Sequence, residues 1–277
     1  MCAELKGFCN PRSPEGKASM IGAPPWYFAE DIMMVNFKVD PDVLLKHIPA
    51  PLEPPEVPGL CQLWMTNAVS FSDSERDLLS VNPERTYYKE CVVSTACSYK
   101  GKQGFLIAYI WVDNDFTMCR GWIQGFPKKL GRLSNSWERR HLQAINPAGL
   151  GEFGDGTKVR AWLEAHGERL VDLRATMGRK VTPDELDEPC KMKYLNMLYF
   201  PTLEIGADKP LVNQLCESDT QITFGDCWEV KDVSLNFLES EIEELAVLQP
   251  KEIISAYLVN IGIQVNGARI LHDNNLD

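Results

Sequence analysis

Lys128 and Lys129 stand side by side in Gly125-Phe126-Pro127-Lys128-Lys129-Leu130-Gly131, an apolar, glycine-bracketed stretch able to hold an amine away from water. A lysine attacks a ketone only as the neutral amine, and an ordinary pKa of about 10.4 leaves roughly one in a few thousand uncharged at neutral pH. Apolar burial and a second cation both depress that pKa, and the heptapeptide offers both. Two charges about 5 Å apart at an effective dielectric of about 20 repel by about 3 kcal/mol. Consecutive side chains on an extended segment point to opposite faces, however, which widens the separation. Burial, worth roughly 3 to 5 pKa units for a fully desolvated lysine, is therefore expected to dominate. The chemistry implied is addition of Lys128 to a carbonyl, loss of water, and a protonated imine that accepts electrons from a breaking bond. A Lys-Lys pair by itself is ordinarily a solvated surface feature, so the assignment needs other residues.

Those residues follow in a fixed order. They are Asp40 with Pro49-Ala50-Pro51-Leu52-Glu53, then Tyr88-Lys89-Glu90, then the lysine heptapeptide, then Ala175-Thr176-Met177-Gly178, and finally Trp228 with Pro250-Lys251-Glu252-Ile253-Ile254-Ser255. From about Gly22 to His272 the chain thereby resembles the acetoacetate decarboxylase-like superfamily. The resemblance implies an α+β, predominantly β fold: an antiparallel β-barrel or cone with few short helices. It also implies that Lys128 is the Schiff-base lysine, that Lys129 is its cationic neighbour, and that Glu90 shuttles protons during carbinolamine formation and dehydration.

Four positions depart from the family pattern. Glu30 stands where an arginine would help hold a substrate carboxylate, and Gln62 where a second acid is expected. Gly121-Trp122 meets the family's Arg-Glu pair, although Arg120 supplies the cation if the register slips by one. Trp122 is then a candidate to narrow the pocket or stack on an unsaturated substrate. Glu30, Gln62, Arg120 and Trp122 are therefore the candidate substrate-binding residues. The expected function is a Schiff-base-forming lyase acting on an oxo acid or related ketone other than simple acetoacetate. An aldolase-dehydratase joining an oxo acid to an aldehyde is the alternative that uses the same lysine. A hydrolase or isomerase, or a β-barrel that binds a small molecule without turnover, are the readings that do not use it.

The elements that must position these residues are mostly strands. Period-two or short apolar runs mark Leu60 to Met65, Tyr88 to Tyr99, Phe105 to Val112, Lys158 to Glu164, Leu170 to Thr176, Met192 to Phe200, Gln221 to Phe224, Val230 to Phe237 and Ile253 to Val259. Asp40-Pro41-Asp42 caps a helix of about two turns that Pro49 stops. Leu238 to Leu248 reads as a helix or an acidic connecting loop. Residues 1–25 form an N-terminal arm and 26–277 one domain. A net charge of -11 argues against nucleic acid or an anionic membrane as partner. No apolar run reaches the roughly 18 residues of a membrane span, and the start lacks a signal-peptide pattern, so a soluble, cytoplasmic protein is expected. Nine cysteines without CxxC spacing and four scattered histidines, including His141, indicate neither disulfide framework nor metal site. Gly149-Leu150-Gly151-Glu152-Phe153-Gly154 matches GxGxxG but lacks a strand before it and a helix after it, so no nucleotide is expected. No cofactor is expected; the partners are a small-molecule carbonyl substrate and, by resemblance, further copies of the chain.

Overall fold

Alternation along the strands sorts side chains onto two faces, and both are covered. The computed structural model describes residues 4–138 and 153–276. Its strands are β1 (Trp26–Lys38), β2 (Leu60–Ser72), β3 (Tyr87–Tyr99), β4 (Lys102–Val112), β5 (Lys128–Leu130), β6 (Arg132–Asn135), β7 (Lys158–Ala165), β8 (Glu168–Val181), β9 (Leu195–Phe200), β10 (Val212–Phe237) and β11 (Glu252–Asp273). Helices α1 (Pro41–Leu45), α2 (Leu78–Val81) and α3 (Asp115–Gln124) are short. Odd-numbered side chains of β1, β2 and β3, such as Met33, Leu63 and Val93, meet Leu163 and Leu173 in the main core. Even-numbered ones, such as Ile32, Met34 and Val92, enter smaller apolar clusters on the opposite face. β3 is buried almost throughout, as expected of a strand covered on both sides.

The hydrogen-bonded order is β5-β4-β3-β2-β1-β11-β10-β8-β7-β6, with β9 added on β10. The pairs are antiparallel except β4 with β5, so the sheet is mixed at that one place. Its two ends, β5 and β6, are consecutive in the chain and separated by Gly131 alone. The Gly131 N–H donates to Val112 O at 2.8 Å. A Cβ at residue 131 would lie 2.9 Å from Leu163 Cδ1 and 3.1 Å from Trp111 Cβ. No ladder joins β5 to β6, so the sheet is open and its two ends are connected only by the covalent chain at Gly131.

Several elements differ from the sequence reading. β1 and α3 carry no clear periodicity and were not expected. α1 is shorter than two turns: Asp40 accepts from the Asp42 N–H at 3.0 Å, and the helix ends at Leu45. Between Leu238 and Leu248 only Leu245–Leu248 forms a 3-10 turn, and the rest is irregular. The described part of the arm packs Ile21 against Trp26, Tyr88 and Phe116, which seats it beside α3. No described helix is long and apolar enough to cross a membrane, and no described cluster of His, Cys, Asp and Glu is placed to hold a metal. His141 and Gly149 to Glu152 lie outside the described residues.

Candidate active site

The lysine motif is turned inward by the end of α3. Asn114 caps the helix, its Oδ1 accepting from the Phe116 N–H at 3.4 Å. Gly125 ends it at φ 81°, where its N–H reaches the carbonyls of Gly121 and Trp122. A side chain at 125 would be strained in that left-handed conformation and would also meet Met197 O at 3.1 Å. Phe126 and Pro127 then lead into β5, which pairs Lys128 with Ile110 of β4. Gly121 lets the lysine pass: a Cβ there would fall 2.4 Å from Lys128 Cδ.

Lys128 is 5% exposed. Its Nζ donates to Glu90 Oε2 at 2.5 Å and to Thr117 Oγ1 at 2.9 Å. Burial pulls the amine below its ordinary pKa; Glu90 opposes the shift, and the Arg120 guanidinium adds to it. Glu30 and Tyr88 complete the cluster, because the β1–β2–β3 register sets Glu30, Ala68 and Tyr88 in one row. The Tyr88 hydroxyl faces Glu30 Oε1 at 3.5 Å. Burial, with the Glu90 charge second, pushes the Glu30 carboxyl up to about 8 against the opposing pull of Lys128 and Arg120. Burial thereby favours the neutral form of the Glu30 carboxyl.

Lys128, Glu90, Glu30 and Tyr88 line a cavity of about 100 Å³ whose walls include Phe28, Trp64, Val92, Phe126 and Ile261. A larger and more open groove of about 900 Å³ shares Glu30 and Tyr88 but contains neither Lys128 nor Glu90. The smaller cavity is where lysine chemistry can occur.

The other candidates lie elsewhere. Lys129 points to the opposite face, pairing with Glu243 and lying 4.8 Å from the Trp111 ring centroid. The second cation acting on Lys128 is Arg120 in its place, because side chains diverge at consecutive strand positions. Arg120 does not line the cavity. Its guanidinium lies over Phe28 at 4.6 Å and donates to Ser70 Oγ at 2.6 Å. Trp122 is 48% exposed, and its Nε1 donates to Lys128 O at 2.8 Å, which tethers the lysine's backbone from outside the cavity. Gln62 donates to Asn36 Oδ1 at 2.8 Å and to Pro189 O at 3.2 Å, bracing the segment that leads to Cys190, Met192 and Tyr194 of the cavity wall. Sequence reasoning missed Thr117, Trp64 and Tyr194. The bracket of Asn114 and Gly125 was the available signal for α3 and hence for Thr117.

A mixed β-rich sheet holds a buried lysine–glutamate pair under a short helix. Residues 9–275 match the family model described as Acetoacetate decarboxylase (ADC), and the chain belongs to that family. No curated protein sequence matches it. Among solved structures, the enduracididine biosynthesis enzyme MppR complexed with the condensation product of pyruvate and imidazole 4-carboxaldehyde is 27% identical, with 99% of each chain covered and a TM-score of 0.84. MppR complexed with pyruvate is also 27% identical, covering 98% of this chain and 99% of that one at a TM-score of 0.83. An acetoacetate decarboxylase-like enzyme from Sphingomonas wittichii RW1 shares the fold at 24% identity, 97% and 100% coverage and a TM-score of 0.86.

Proposed function

We propose that this protein is an imine-forming lyase acting on an oxo acid, with Lys128 as nucleophile. The observation that carries this reading is the Lys128 amine, buried in an apolar cavity and bonded to Glu90 and Thr117. Transfer of one proton from Lys128 to Glu90 turns an ion pair into a neutral amine and a carboxylic acid, which removes two buried charges together. The amine adds to the substrate carbonyl. Glu90 then protonates the carbinolamine oxygen, which leaves as water, and the resulting iminium cation again faces the Glu90 carboxylate. Glu30, protonated below about 8, donates a hydrogen bond to the substrate carboxylate. It thereby occupies the role the family gives to an arginine.

Joining of the oxo acid to an aldehyde is favoured over release of carbon dioxide from acetoacetate. The cationic side chains on the described cavity wall are Lys128 and Lys193, and Arg120 is turned toward Ser70. The MppR complexes with pyruvate and with its condensation product support the same choice. In that reaction Glu90 takes a proton from the carbon next to the iminium, the enamine attacks the aldehyde, and Glu90 returns the proton to the new alkoxide. Glu90 then takes the second proton from the same carbon and gives it to the hydroxyl, which departs as water and leaves the unsaturated iminium. Hydrolysis of the imine restores Lys128. The test is to compare formation of an unsaturated oxo acid from pyruvate plus aromatic aldehydes with carbon dioxide release from acetoacetate, using Lys128→Ala as the blank. Condensation that depends on Lys128, with decarboxylation at least about a hundredfold slower, is expected. Fast gas release from acetoacetate, or turnover surviving in Lys128→Ala, contradicts the proposal.

A further inference from the structure

The cavity wall beyond Glu90 carries two buried hydrogen-bonding atoms that have no partner, Trp64 Nε1 and Tyr194 OH. Thr66 Oγ1 and Ser94 Oγ are also buried and unpaired. Trp64 and Tyr194 line the cavity, their rings packed edge-on with centroids 5.4 Å apart. Tyr194 also lies 6.5 Å from Phe126, which precedes the lysine pair. The Ser94 hydroxyl sits near the Tyr194 OH without closing a hydrogen bond of proper geometry. A buried polar atom left unpaired costs about 1–3 kcal/mol, and phenylalanine at either ring position would supply packing without that cost.

Strand register sets Thr66 and Trp64 one step apart on the same face of β2, while Tyr194 reaches the cavity from the segment before β9. Thr66 is opposite Glu90, and Trp64 is opposite Val92, the next residue of β3 on the same face. One such step is about 7 Å, about an ångström longer than the roughly 6 Å across a benzene ring with one substituent bond at each end. The wall between is apolar, formed by Val92, Ile107 and Phe126. Lys193 lies 3.6 Å from Glu217, which offsets its charge. Trp64 Nε1 only donates, so its partner must accept, whereas the Tyr194 hydroxyl does either.

We infer that Trp64 and Tyr194 form a distal subsite for the uncharged tail of the carbonyl substrate, an aryl or similarly apolar group bearing a hydroxyl or carbonyl oxygen about one ring away from the reacting carbon. The inference deepens the imine reading and rests on it for the position of that carbon. Glu90 and the pairing of Lys193 with Glu217 disfavour a carboxylate on the tail.

Calorimetric titration with acetophenone, 4-hydroxyacetophenone and 4-carboxyacetophenone tests it. The 4-hydroxy compound is expected to bind roughly tenfold or more tighter than acetophenone, and the 4-carboxy compound weaker than either. Tyr194→Phe and Trp64→Phe should each abolish the hydroxyl preference, read as a ratio of affinities within each variant that unfolds cooperatively. If Trp64→Phe fails to fold, Tyr194→Phe decides. Equal affinities in the wild type, or a preference retained in the folded variants, overturns the subsite. Borohydride trapping of the same ketones at Lys128 reads the imine separately. A preference without an adduct rejects the imine reading alone, and an adduct without a preference rejects the subsite alone.

Discussion

A lysine and two glutamates share one proton economy in the cavity, and their division of labour follows from burial. Lys128 is made easier to deprotonate by desolvation and by Arg120, while Glu90 accepts a hydrogen bond from it at 2.5 Å. Replacing Glu90 by Gln keeps the shape but removes the acceptor, and should lower turnover by roughly 10² to 10⁴ with the fold intact. Steady-state rates beside a thermal melt check this. Glu30 gives a pH signature. Tyr88, Glu90, Lys128 and Arg120 all act on it, and its carboxyl is raised to about 8. As pH rises through that value Glu30 ionises, so affinity for an oxo acid should fall above about pH 8 and stay level in Glu30→Gln. The linked stability has the same sign: the folded state holds a proton that the unfolded chain releases from the ordinary value of 4.5 upward, so stability falls between there and about 8. A Glu30→Gln profile with the same loss above pH 8 would refute that assignment. Lys128 and Glu90, which the structure brings together, were nameable as candidates because their motifs are local. The divergence of Lys129 from Lys128 was also legible, but the partners that fix Lys129, Gln62 and Arg120, namely Glu243, Pro189 and Ser70, are distant in sequence, and Trp122 is fixed by the Lys128 carbonyl only once the chain turns at Gly125.

At the scale of elements, α3 is the least legible and the most consequential for the site. Its sequence, Asp115-Phe116-Thr117-Met118-Cys119-Arg120-Gly121-Trp122-Ile123-Gln124, holds aromatic and β-branched residues and an internal glycine, all weak helix formers. Packing stabilises it nonetheless. Thr117, Gly121 and Gln124 share one face, separated by four and three residues, and that face meets Lys128 and its cavity. Gly121→Ala should improve intrinsic helix propensity yet displace the lysine. A loss of activity of roughly a hundredfold or more, without loss of thermal stability, is expected from a displacement of about 1 Å. Wild-type activity in Gly121→Ala would show that the close approach to Lys128 does not matter. β1 escaped notice for a related reason: both its faces are covered, so its apolar run from Ile32 to Val35 lacks the alternation that marks a half-buried strand.

The whole molecule separates stability from chemistry by using the two faces of one sheet. The larger core fills the inside of the curl, where Leu63, Trp111, Leu163 and Leu173 meet, and the lysine cavity occupies the other face under α3 and the segment ending at Tyr194. The β-rich architecture was visible in the strand periodicities. The junction at Gly131 was not, because it depends on Leu163 and Trp111 approaching from different strands. Gly131→Val should therefore overpack this junction and lower stability by about 1–3 kcal/mol, seen as a lower denaturant midpoint at unchanged slope. An unchanged midpoint would argue that the junction yields. The claim on which the account depends most is that Lys128, and no other lysine, bonds covalently to substrate. Its most direct test is borohydride reduction in the presence of pyruvate, followed by digestion and mass mapping of every lysine-containing peptide. The account predicts one reduced adduct, on Lys128, absent from Lys128→Ala; an adduct confined to other lysines, Lys129 included, or no adduct under conditions of turnover, would contradict it.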